Sequence, residues 1–289
     1  METSHVQFSV FGSAEIRKLP VEALSGFDVP CSGAFWHQRE MNGKEKRPDE
    51  DRRKLFIYLR RMCRDLRAHI STLGTAANYL HKLLRHDISR KVCNYTLATS
   101  CLIIAADVCE DRGFNKRDVI NVSHAILHPG KSPLPIDEPL FWEMRKSMIN
   151  VAHLIFRELK YKLKYDLELP YLCDYMAKIR ERIPQVFAEK QVAETAIGIL
   201  ADAYVDMEFI TDHSPKTVAL IVLSVALTAL EISIPKYADT EWPGALFSDK
   251  LRPSKCAKLR KRLVGSLYAG QLFVPKPEII PEPEVVELC

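Results

Sequence analysis

The sequence predicts an all-α protein. Apolar residues recur at spacings of three and four from about residue 52 to residue 270, residues that cap or break helices punctuate that pattern, and no strand-like alternation bounded by turn signals occurs. Of the 289 residues, 47% are hydrophobic and 27% charged, a balance that excludes wholesale disorder. The 11 Gly and 17 Pro are too few for a collagen-like or low-complexity chain. A net charge of +4 is too mild to argue for nucleic acid by itself.

The elements follow in order. Residues 1–51 are an irregular leader, with Pro20, Pro30, Pro48 and the polar run from Asn42 to Asp51. Arg52 to His69 reads as a basic amphipathic helix. Ser71 or Thr72 caps the next, which carries Leu73, Ala76, Ala77, Leu80, Leu83 and Leu84 on one face. A third runs from about Lys91 to Glu110, with Leu97, Cys101, Ile104 and Val108 along it, and Gly113 ends it. Asn115 caps a fourth, Lys116 to Leu127. A Pro-containing loop follows, and Asp137 or Glu138 opens a fifth that runs through Phe141, Met144, Met148, Ile155 and Leu159.

A second set falls near 170–183, 189–206, 215–231, 243–248 and 253–270. The plan is two blocks of about five helices, 52–160 and 170–270, joined near Tyr161–Leu169. The most apolar helix of each block, 91–110 and 215–231, belongs at the centre of its bundle. Beyond 270 the prolines at 275, 277, 281 and 283 alternate with glutamates, so 271–289 reads as an extended solvated tail.

The N-terminus lacks a basic segment followed by an apolar one, so no secretory signal is expected. The longest apolar stretch, Thr217–Leu230, falls short of the roughly 20 residues a membrane span needs. Cytosol or nucleus is the expected compartment. The eight Cys form no C-x-x-C pair, and Cys93, Cys101 and Cys109 recur every eight residues as packing positions would.

Several strings resemble the cyclin family, closest to the cyclin Q group in the branch that also contains cyclins L and K. The strongest are Arg117-Asp118-Val119-Ile120-Asn121-Val122-Ser123 and, after the Pro-containing loop, Asp137 with Phe141-Trp142-Glu143-Met144-Arg145-Lys146-Ser147-Met148. Weaker echoes are Leu80–Leu84, Leu200–Tyr204, Trp242-Pro243 and Phe247-Ser248-Asp249. The resemblance spans about 55–270. It implies two tandem five-helix cyclin boxes and a non-catalytic regulatory subunit, which binds a cyclin-dependent kinase and holds the kinase αC helix in its active position. By population shift, such a subunit binds the active conformer better than the inactive one. A nuclear site of action, shared with the cytoplasm, is expected, together with contacts to kinase substrate proteins.

The resemblance also locates the kinase-facing residues: Asp107, Val108 and Glu110 at the end of the third helix, and Ala152, Phe156 and Tyr161 in and after the fifth. Cyclins carry a Lys where Asp107 stands and a partner Glu where Ala152 stands, with His153 beside it. An ammonium only donates and a carboxylate only accepts, so the family's polar anchor is missing here. Val108, Phe156 and Tyr161 keep the apolar side. Glu110 and Asp111 read most simply as surface charges, and Trp142 as packing between helices.

The last helix offers a candidate basic contact face of Lys255, Lys258, Arg260, Lys261 and Arg262. Without interleaved aromatics its plain reading is a solvated face, suited to acidic protein segments more than to nucleic acid. His124 and His128 are spaced as zinc ligands can be, but no third ligand is near in sequence. No phosphate-binding, dinucleotide-binding or nucleophile-elbow motif occurs, so no cofactor, metal or enzymatic activity is expected. Two other roles stay open: a cyclin-fold scaffold without kinase activation, such as a meiotic crossover factor, and a nucleic-acid-binding cyclin-fold factor.

Overall fold

The computed structural model describes residues 48–86, 92–232 and 253–268. Among them are eleven helices and no strand: α1 Pro48–Asp65, α2 Ile70–Leu83, α3 Asn94–Val108, α4 Lys116–Leu127, α5 Pro139–Glu158, α6 Glu168–Arg182, α7 Pro184–Glu189, α8 Val192–Ala203, α9 Met207–Asp212, α10 Pro215–Ala229 and α11 Pro253–Tyr268. The expected helix at 243–248, the tail from 271 and the leader before Pro48 lie outside the described residues.

The two most apolar helices are central, as their composition requires. α3 is packed by α1, α2, α4 and α5, and α10 by α6, α8 and α11. Every residue of α10 from Val218 to Leu227 is buried. Across the two groups α2 lies against α8 and α9, and one continuous apolar cluster runs from Leu55 to Leu263. Helices of such length cannot stand alone in water; burial of these faces, at roughly 25 cal/mol per Å² of apolar surface, stabilises them.

The string Arg117–Ser123 owes its residue types to structure. Asp118 and Asn115 form a reciprocal capping box, each side chain accepting from the other's backbone N–H at 3.0 Å. The Asn121 side chain accepts from the Leu134 N–H and tethers the Pro-containing loop. The Ser123 hydroxyl bonds Tyr58, which also meets Thr99, so α1, α3 and α4 share one buried hydroxyl triad. Burial pushes the Tyr58 phenol up to about 12.

Several expectations are corrected. α1 begins at Pro48 rather than Arg52 and stops at Asp65 rather than His69. α2 is capped by neither Ser71 nor Thr72: His69 takes the cap position without a side-chain bond of its own. The helix expected over 189–206 is interrupted where Gln191 adopts φ 48°; α7 precedes that break, and α9 follows the shortened α8. Gly113 does not end α3. Glu110 does, in the left-handed region at φ 55°, which lets the Asp111 N–H reach back to the Ala106 carbonyl at 2.9 Å. Arg67 and Glu231 end α1 and α10 in the same way, the latter at the residue expected from the sequence.

Asp111 is not a surface charge. Its side chain is buried and accepts the His69 N–H at 2.7 Å and the Thr72 hydroxyl at 2.8 Å, supplying from 42 residues away the cap that α2 lacks locally. Cys63 and Cys101 are fully buried, and burial pushes their thiols up, so they pack as small apolar groups. Cys93 departs from that pattern and is exposed.

Candidate functional site

The edge of the first helical group is set by how α3 and α5 end. α3 is buried on nearly every side until Asp107, its first exposed residue after Ser100. The Ser100 hydroxyl donates to the Met148 carbonyl at 3.1 Å and locks α3 to α5 midway along both. Past that bond Val108 is half-buried against the core and Glu110 is exposed. Among the described residues Asp107 pairs only with Lys116, at 4.0 Å, with both side chains at least 65% exposed; such a pair contributes little.

On α5, Phe141, Met148, Val151 and Ile155 face inward. Along the neighbouring edge, Trp142, Ile149 and Phe156 recur every seven residues, a spacing that drifts by only about 20° per repeat. Ala152 and Phe156 are half-buried against the core, whereas Trp142 and Ile149 are exposed. Trp142 is therefore not packing between helices: it is 48% exposed, its indole N–H donates to the Ile136 carbonyl at 2.7 Å, and Arg145 sits over its ring. Trp142 and Ile149 are the part of the site the motif reading missed. Their heptad spacing was present in the sequence, but exposure was not.

α5 ends when Lys160 and Tyr161 both take positive φ, 50° and 58°, and the Tyr161 N–H returns to the Phe156 carbonyl at 3.0 Å. The turn lays the Tyr161 ring flat on Phe156, centroids 6.1 Å apart and planes 10° from parallel, and leaves Tyr161 71% exposed. A left-handed non-glycine residue costs about 1–2 kcal/mol, so a solvent-facing aromatic held this way has no core-packing rationale. The turn then re-enters the core through the Leu163 carbonyl, which accepts from Tyr79 at 2.6 Å.

The structure thus puts Asp107, Val108 and Glu110 at the end of one helix, and Ala152, Phe156 and Tyr161 along and just beyond its packed neighbour. Asp107 and Glu110 are exposed acids at the α3 end, with Arg112 and Lys116 exposed just beyond them, while Arg157, Lys160 and Lys162 are exposed along the α5 end with Glu158 among them.

The basic face of α11 is partly committed. Arg260 donates to the Thr228 hydroxyl and Arg262 to the Asp212 carboxylate, each at 3.0 Å, while Lys255, Lys258 and Lys261 are exposed. His124 is buried with its ring 4.9 Å from that of His128, and no group of three metal-ligating side chains occurs among the described residues. No helix among them is long and apolar enough to cross a membrane.

Residues 35–164 match the family model of the cyclin N-terminal domain. Over 168 residues the chain is 22% identical to mouse (Mus musculus) Cyclin-T1, covering 58% of this chain and 22% of that protein, so it spans about a fifth of the curated relative's length. A chain in the crystal structure of the yeast RNA Pol II CTD kinase CTDK-1 complex superposes with a TM-score of 0.51 at 17% identity, over 75% of this chain and 65% of that one. The N-terminal half of the chain is thus similar to cyclin N-terminal domains, and the all-α architecture of the described residues is that of the cyclin fold.

Proposed function

We propose that this chain is a non-catalytic regulatory subunit of a cyclin-dependent kinase, acting in the nucleus and allied to the cyclin Q group, and that it docks the kinase on the edge formed by the end of α3 and the length of α5. The observation that carries the reading is the cyclin N-terminal domain match over 35–164, because both helices fall within it. The fold likeness to a chain of an RNA Pol II CTD kinase complex supports a kinase of the transcriptional class as partner.

The site argues for a charge-swapped version of that docking. The ammonium of the family becomes the Asp107 carboxylate, the carboxylate becomes Ala152, and cations gather at the α5 end instead. The complementary kinase presents a basic group to Asp107, an acidic segment to Arg157 and Lys160, and an apolar helix face to the Trp142–Ile149–Phe156 edge. A lost charge-assisted bond is worth about 1.5–3 kcal/mol, which a handful of aromatic contacts offsets. The test is co-expression with a panel of cyclin-dependent kinases, followed by capture and a peptide phosphorylation assay. Capture with stimulation supports the proposal, capture without stimulation favours the scaffold role, and capture of none contradicts it.

A further inference from the structure

The chain holds two Ser-Pro dipeptides, Ser132-Pro133 and Ser214-Pro215, and no Thr-Pro. A serine followed by proline is what proline-directed protein kinases read. The dipeptide becomes a site only where the fold leaves the hydroxyl free and the flanking backbone extended, because phosphoryl transfer needs the serine oxygen in line with the γ-phosphorus. The two serines differ in both respects.

Ser214 is committed to the fold. It caps α10: its hydroxyl accepts the Thr217 N–H at 3.3 Å and lies 2.9 Å from the Thr217 hydroxyl. α9 ends at Asp212 and α10 begins at Pro215, so only His213 and Ser214 separate the two helices. Seating Ser214 in a kinase cleft would unwind the first turn of α10, where Val218 is fully buried.

Ser132 sits in the connection between α4 and α5, residues 128–138. Pro129 to Pro133 are all exposed, and Lys131 to Pro135 adopt no helix. Pro133 restricts the serine before it to extended backbone. Among the described residues neither the N–H nor the hydroxyl of Ser132 has a hydrogen-bond partner. The anchors lie to either side of it. The Lys131 N–H returns to the His128 carbonyl at 3.2 Å, and Leu134 is buried with its N–H on the Asn121 side chain. The tip from Lys131 to Pro133 therefore stands clear of the core while its base is fixed.

We propose that Ser132 is a phosphorylation site for a proline-directed serine/threonine kinase, and that Ser214 is not one in the folded chain. In the step, the Ser132 oxygen bonds the γ-phosphorus of Mg-ATP as the bond from that phosphorus to the β,γ-bridging oxygen breaks. ADP leaves, and the hydroxyl proton passes to the carboxylate base of the kinase. The product carries a charge of about −1.5 to −2 at neutral pH. The same connection supplies the Ile136 carbonyl that holds the Trp142 indole, so the modification places that charge close in sequence to the start of the exposed α5 edge. The inference does not depend on a kinase docking along that edge, because the tip is open to any kinase of this specificity.

The test is a time course of the full chain with a proline-directed kinase and Mg-ATP, with phosphate located by peptide mass spectrometry. Synthetic peptides spanning 126–138 and 208–220 serve as unfolded controls. The expected result is phosphate on Ser132 of the full chain at least about tenfold faster than on Ser214, with the two peptides labelled at similar rates. Ser132→Ala should remove the fast label and leave the melting temperature unchanged. Labelling of Ser214 in the full chain as fast as Ser132 would overturn the proposal. So would a full chain in which Ser132 stays unlabelled, whether or not the peptide 126–138 is modified.

Discussion

Asp111 shows how one side chain can carry a helix that its own sequence leaves uncapped. It holds the His69 N–H and the Thr72 hydroxyl, so Asp111→Ala leaves two buried donors without acceptors. That substitution should cost about 2–3 kcal/mol, read as a drop in the denaturation midpoint, whereas Glu110→Ala next to it should cost far less. Gly74 is the second such position. A Cβ there would stand 2.6 Å from the Tyr204 hydroxyl and 2.7 Å from its ring. Helix propensity alone favours alanine by about 1 kcal/mol, but overpacking costs about 1–3 kcal/mol, so Gly74→Ala should destabilise on balance. Combining it with Tyr204→Leu should recover part of the loss. His81 is buried, and burial together with Arg85, Arg52 and Lys82 lowers its imidazole from 6.5 to about 4, with only Asp212 opposing. A depressed folded value means that stability is full above pH 6.5 and is lost as pH falls toward 4. Thermal melts at pH 7 and pH 5 should therefore show a larger decline for the wild type than for His81→Gln. None of these roles was legible beforehand, because each depends on what a distant segment brings to the residue.

At the scale of elements, α4 was legible to the residue: Asn115 and Asp118 form a local cap, and local chemistry decides the boundary. The end of α1 was not, because Arg67, which is no glycine, adopts the left-handed turn there, whereas the expected ends of α3 and α10 at 110 and 231 fall on the residues that make the same turn. The site divides the same way. Val108 and Phe156, placed by resemblance on the partner-facing side, are half-buried against the core, and the exposure of Tyr161 and Trp142 follows from how α5 ends and from the loop before it. If this edge takes a partner helix, Tyr161→Ala and Trp142→Ala should each weaken capture of the partner kinase by about tenfold or more, with melting temperatures little changed. Asp107→Lys should alter affinity in either direction while leaving the fold intact. No change for any kinase would remove Asp107 from the interface.

For the whole molecule, the sequence predicts two blocks of helices, and both central helices are where composition puts them. It is silent on how the blocks meet. Arg60 on α1 pairs with Asp202 on α8, which also accepts from the Tyr268 hydroxyl at 2.6 Å on α11. Tyr204 reaches Gly74 on α2 while donating to the buried Glu168 carboxylate at 2.7 Å. Burial raises the Glu168 acid above its usual range, so this carboxyl favours the folded state more at mildly acidic pH than at neutral pH. With one apolar cluster continuous across the junction, unfolding should be a single transition, and Arg60→Ala should shift its midpoint without splitting it.

The most direct measurement is hydrogen–deuterium exchange of the full chain, alone and with a kinase it captures. Slowed exchange over residues 105–110 and 142–161, with the helices of the second group unaffected, is the result predicted for docking on the α3–α5 edge. Protection confined to α10 and α11, with residues 142–161 unchanged, would contradict it.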